Sequence, residues 1–151
     1  MSGKLVIGIG NASRRDDGAG LFAAQAVRGQ APPGVEVRLN AADTAALLEA
    51  WDGAGLAVVI DAVSSGAEPG TVHRFESPDA RLPALGRRGS THALDLGEAI
   101  ALGQALGRLP GRLIVYGIEG SDFGHGGTLS PEVRRGAERA ARRILREIAD
   151  A

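Results

Sequence analysis

The 151-residue chain has no cysteine. That excludes a thiol nucleophile, a disulfide framework and a zinc–thiolate centre. Aromatic residues make up only 3% of it, so a core must be assembled from Ala, Val, Leu and Ile. No apolar run approaches the roughly 20 residues of a membrane span. The N-terminus also lacks the basic-then-apolar pattern of a signal peptide. The expectation is a cytoplasmic protein that does not enter a membrane. A formal net charge of −1 leaves no basic footprint for nucleic acid. Nothing repeats and nothing is of low complexity, and the length suits a single domain, 1–151, with a real core.

What is present is a regular alternation of strand-like and helix-like stretches. Residues 5–9 and 56–60 are continuous runs of branched apolar residues, the pattern of strands buried on both faces. Residues 35–39 alternate apolar and charged, as a half-buried strand does. Residues 71–75 read as a short edge strand and 113–118 as the last central one. Helices are expected over 16–29, over 44–51 with Asp43 as cap, from Ser90 to about Leu106, and from Pro131 onward with Ser130 as cap. In the last of these Val133, Ala137, Ala140, Ile144 and Ile148 form the buried stripe, and the arginines opposite form a solvated face. Residues 77–90, broken by Pro78, Pro83, Gly86 and Gly89, form a long connection. The pattern predicts a three-layer α/β/α sandwich around a twisted, mostly parallel sheet of about five strands.

The Gly8-Ile9-Gly10 turn after the first strand invites a dinucleotide reading. Ser13 stands where the third glycine of that fingerprint would fall, and Asp16 and Asp17 lead into the helix that would have to receive a phosphate. A local explanation exists for both acids, Asp16 as an N-cap and Asp17 as a first-turn acid favourable to the helix dipole. Position gives them another. Asp17 follows the first strand, Asp61 ends the third, and His92 opens a helix after the long connection. If the two strands are parallel neighbours, their carboxyl ends bring Asp17 and Asp61 to one edge, and His92 can reach it. Two carboxylates and an imidazole suit a borderline divalent ion such as nickel or zinc. His73, read as a surface residue of an edge strand, and His125, in a glycine-rich loop, stay outside the set. No Gly-x-Ser-x-Gly elbow or His-Glu-x-x-His motif competes with it.

Four blocks occur in order: Gly8-Ile9-Gly10-Asn11 with Asp16-Asp17-Gly18-Ala19-Gly20; Val59-Ile60-Asp61-Ala62; Ser90-Thr91-His92-Ala93-Leu94; and Tyr116-Gly117-Ile118-Glu119 with Leu129-Ser130-Pro131-Glu132-Val133. Together they resemble the hydrogenase maturation proteases, endopeptidases that trim the C-terminus of a nickel–iron hydrogenase large-subunit precursor. The resemblance implies metal contact and catalysis by Asp17, Asp61 and His92. It also implies a partner, the large-subunit precursor, and a nickel ion carried by that precursor, for which another divalent ion may substitute. A non-proteolytic accessory protein that docks on the nickel centre is the alternative for the same fold. Where many members carry an Asp-Gly-Gly-Thr loop, this chain has Asn40-Ala41-Ala42-Asp43-Thr44, so the resemblance does not set which precursor is accepted.

Overall fold

The computed structural model describes residues 3–40, 43–77 and 96–151. Its strands are β1 (Lys4–Gly8), β2 (Val35–Leu39), β3 (Leu56–Val63), β4 (Val72–Glu76) and β5 (Arg112–Glu119). Its α-helices are α1 (Ala19–Arg28), α2 (Thr44–Trp51), α3 (Leu96–Leu106) and α4 (Pro131–Asp150). The sheet order is β2-β1-β3-β5-β4, parallel throughout except for β4 against β5.

The layers follow from the residue patterns. Every residue of β3 is buried because helices cover both faces of the sheet. On one face Val6, Val58, Ile60, Ile114 and Ile118 pack against α1 and α4. On the other, Ile7, Val59 and Val115 meet Leu47, Leu48 and Trp51 of α2 and Ile100 of α3. Trp51 is fully buried and its indole N–H donates to the Arg108 carbonyl at 2.9 Å, so its polar atom is satisfied. The buried stripe of α4 is the expected one, while Arg134, Arg135, Arg139, Arg142 and Arg146 are exposed. Asp43 caps α2 by accepting from the Ala46 N–H at 2.9 Å. Among the described residues no helix is long and apolar enough to cross a membrane.

The first helix differs from expectation. A 3-10 turn, Arg15–Gly18, precedes α1, which starts only at Ala19. Arg15 has a positive φ of 45° and its N–H donates to the Gly126 carbonyl at 2.8 Å. The Asp16 N–H donates to Asp122 at 2.9 Å. These backbone groups join a distant loop instead of starting a helix. Then α1 descends onto the strand ends through Gly20, where a Cβ would lie 2.4 Å from the Ile60 carbonyl oxygen and 2.6 Å from that of Ile9. Only glycine permits that approach. The expected helix start at Ser90, most of the long connection and His92 lie outside the described residues.

Candidate active site

In this strand order the chain runs outward from β1 to β2 on one side and returns to β3 on the other. The crevice beyond the carboxyl ends of β1 and β3 is therefore the topological switch point, where open α/β sheets bind ligands. Asp17 and Asp61 both belong to this edge. The turn carrying Asp17 packs against β3, and the Ile9 N–H donates to the Ile60 carbonyl at 2.9 Å.

Asp17 is 2% exposed. Its Oδ2 accepts from the Asn11 N–H at 3.1 Å. That turn closes only because residue 10 is glycine: its φ is 154°, and a Cβ there would sit 2.1 Å from the Asp17 carbonyl oxygen. Asp61 is also 2% exposed and lies within β3, which runs on to Val63, past the end of its apolar run at Ile60. Its Oδ1 accepts from the Ala62 N–H at 2.8 Å. Both carboxylates are thus buried in a place where burying charge is costly. Among the described residues no group of three or more His, Cys, Asp or Glu side chains could hold a metal ion. Two oxygen donors at one edge fit a divalent ion only with a further ligand, and the expected one, His92, lies outside the described residues.

Two further buried acids stand at this edge, and neither was selected from sequence. Asp16, at 0% exposure, does not cap its own helix. Its carboxylate accepts five hydrogen bonds from the other end of the chain: the N–H (2.9 Å) and hydroxyl (3.2 Å) of Ser121, the Asp122 N–H (2.9 Å), and the N–H (2.7 Å) and hydroxyl (2.8 Å) of Ser130. Burial alone would raise its pKa. The Ser130, Ser121 and Asp122 N–H groups and the Ser130 hydroxyl outweigh it and hold the carboxyl below its usual range. The Ser130 hydroxyl is therefore spent on Asp16 and makes no side-chain cap bond to α4. Asp16 fixes the backbone of its neighbour Asp17 to the 120–130 loop, which Arg14 and Arg15 also clasp through the Phe123 and His125 carbonyls. His125 itself is exposed.

The second is Glu119, 2% exposed, at the end of β5. It accepts from the Ser65 N–H and hydroxyl, each at 2.7 Å, and lies 3.0 Å from His73 Nε2. Burial raises its pKa, and the Ser65 hydroxyl, the Ser65 N–H and His73 draw it down further, leaving it lowered. His73, expected at the surface, has a side chain only 20% exposed and faces Glu119. The strand alternation of residues 71–75 carries no sign of that partner, 46 residues away.

An open α/β/α sandwich with buried acids gathered at its switch point belongs to the class of α/β proteins that work from the carboxyl edge of the sheet. The particular family follows from comparison. A hydrogenase maturation protease family model (HycI) matches residues 41–147, and the chain belongs to that family. It is 33% identical over 135 residues to the hydrogenase expression/formation protein HupD of Thiocapsa roseopersicina, covering 86% of this chain. The chain spans 60% of that relative's length. Among solved structures it superposes on the hydrogenase maturating endopeptidase HybD of E. coli with a TM-score of 0.84 at 25% identity, covering 99% of this chain and 93% of the other. The [NiFe] hydrogenase maturation protease HybD of Thermococcus kodakarensis gives a TM-score of 0.76 at 28% identity, covering 98% and 99%.

Proposed function

We propose that the protein is a cytoplasmic endopeptidase that removes the C-terminal peptide of a nickel–iron hydrogenase large-subunit precursor already loaded with nickel. The observation that carries this reading is the pair of buried carboxylates, Asp17 and Asp61, at the switch point of a fold shared with maturation endopeptidases. Asp17, Asp61 and His92 reach toward the nickel that the precursor brings and hold its tail against the carboxyl edge. Water attacks the scissile carbonyl, one of the two carboxylates takes the water's proton, and the same group passes that proton to the amine nitrogen as the C–N bond breaks. The nickel, as cargo of the substrate, supplies Lewis acidity at that carbonyl. No protein nucleophile is required, in keeping with a chain that has no cysteine.

The test mixes purified protein with nickel-loaded and nickel-free precursor and measures the released C-terminal peptide by mass spectrometry. Cleavage of the loaded form alone is expected. Asp17→Ala, Asp61→Ala and His92→Ala should each lower its rate by about a hundredfold or more. Equal cleavage of both precursors would defeat the nickel requirement, and undiminished variants would defeat the site. A stable complex with no peptide release would favour the accessory role instead.

A further inference from the structure

The β3–β5 register pairs Asp61 with Gly117 and Val63 with Glu119, and the β4–β5 register pairs His73 with Gly117. Strand alternation puts Asp61, Gly117, Glu119 and His73 on the same face of the sheet, the face that carries Val59, Val115 and Phe75. In the row Asp61–Gly117–His73 the middle position has no side chain. A Cβ there would stand 3.0 Å from Val63 Cγ1 and 3.7 Å from His73 Cβ. Glu119 meets both flanks of this gap, the imidazole on β4 and Ser65 on the segment that leaves β3.

The backbone of the same residue completes the bracket. The Glu119 N–H donates to the Thr71 carbonyl at 2.9 Å, the Gly70 N–H donates to the Glu119 carbonyl at 2.8 Å, and the next N–H, of Gly120, donates to Val63 at 3.0 Å. Glu119 and the N–H that follows it thus tie both ends of the 64–71 connection between β3 and β4. Without the Glu119 side chain, the Ser65 N–H and hydroxyl would lose their acceptor and the strand end carrying Asp61 its side-chain tether.

We propose that Glu119 is a positioning residue for the peptidase site, holding Ser65 and His73 so that the β3 end keeps the Asp61 carboxylate aimed at the substrate. This inference rests on the peptidase reading above. It is separable from a purely structural role because glutamine can reproduce the geometry. With its oxygen at the Oε2 position Gln accepts from the Ser65 N–H, and its NH2 at the Oε1 position donates to the Ser65 hydroxyl oxygen and to His73 Nε2 in the tautomer with the proton on Nδ1. Shape is kept and charge removed.

Cleavage of nickel-loaded precursor is measured for wild type, Glu119→Ala and Glu119→Gln at a temperature where circular dichroism shows all three folded. Amide hydrogen exchange is followed in peptides covering residues 61–66. For Glu119→Ala, kcat should fall about tenfold or more with KM within about threefold. Exchange in 61–66 should rise, with exchange in β1 unchanged. Glu119→Gln should restore kcat to within about threefold of wild type and bring exchange back. A Glu119→Ala enzyme as fast as wild type, or a Glu119→Gln enzyme as slow as the alanine variant, overturns the proposal. A wild-type protein that releases no peptide overturns the peptidase reading instead. The exchange data then still decide whether Glu119 holds the Asp61 segment, and unchanged exchange in the alanine variant rejects that too.

Discussion

Two sets of acidic side chains flank or line this sheet and are stabilised in different ways. At the carboxyl edge, Asp16 and Glu119 are held by backbone N–H groups, serine hydroxyls and one imidazole. Among the described residues no lysine or arginine is paired with either. At the outer strands, Glu147 of α4 and Glu76 of β4 are held by guanidinium groups. Arg74 donates to both Glu147 oxygens, at 3.0 and 2.6 Å, and the Tyr116 hydroxyl donates to Glu147 as well. Arg112 forks onto Glu76 at 3.0 and 3.2 Å. In the second set each charge is cancelled on the spot. In the first, N–H and hydroxyl dipoles stabilise the charge, joined at Glu119 by the His73 imidazole.

The comparison breaks most readily at Asp16. Asp16→Ala should strip an acceptor from five donors and release the 120–130 loop from the turn that bears Asp17. The expected loss is about 3 kcal/mol in urea unfolding, because buried donors are left unsatisfied. A loss below about 1 kcal/mol would mean that water substitutes freely and that the edge is not built around this carboxylate. The corresponding effect in the paired set should be smaller. Arg74 and Glu147 have side chains 30% and 23% exposed, so solvent screens their attraction. A double-mutant cycle with Arg74→Met and Glu147→Gln should give a coupling of about 1 kcal/mol. Tyr116, whose pKa burial and then Glu147 push up to about 12, stays protonated and keeps donating throughout the ordinary pH range.

How much of this could be read in advance depended on distance along the chain. The continuous apolar runs of β1 and β3 and the three-to-four spacing of α4 are local signals, and they gave the sheet and its cover. That Asp17 and Asp61 come to one sheet edge was legible from strand order, since parallel neighbours bring their carboxyl ends together. The role of Asp16 was not. Two acids before an apolar stripe have an adequate local explanation as helix-start residues, whereas the true donors lie 105 to 114 residues away. Glu119 stands out in the sequence only as one residue of a longer block, and the alternating strand of His73 looks solvent-facing until β5 pairs beside it. The start of α1 was misplaced for the same reason as Asp16: the backbone N–H groups of Arg15 and Asp16 are claimed by residues 126 and 122.

Acid titration sharpens the contrast next. The folded-state pKa values of Asp16, Glu119, Glu76 and Glu147 are all lowered. Each group therefore contributes stability that is complete above the ordinary carboxylate pKa near 4 and is lost as pH falls from there through the lowered value. Stability should drop on acidification below about pH 5, and Asp16→Asn should make that slope shallower. In about 1 M NaCl the Arg-paired contribution should shrink, because the Debye length falls to roughly 3 Å. The Asp16 contribution, made by direct bonds from neutral groups, should not. An Asp16→Asn profile with an unchanged acid slope would put the protons elsewhere.

The smallest effect belongs to Glu76, whose partners Arg112 and Arg74 have side chains 49% and 30% exposed. Arg112 and then Arg74 draw its carboxyl down against a modest opposing effect of burial. Its pairs lie at the amino end of β5, away from the candidate site. An exposed pair of this kind contributes little, because water already solvates both charges well and the side chains surrender rotamer freedom to meet. Glu76→Gln should cost about 0.5 kcal/mol at low ionic strength, less in high salt, and leave peptide release from a nickel-loaded precursor untouched. If it instead slowed cleavage as much as Glu119→Ala, charge anywhere on the sheet would be what the substrate senses. The distinction between acids held by dipoles at one edge and acids held by arginines at the other would then have no functional meaning.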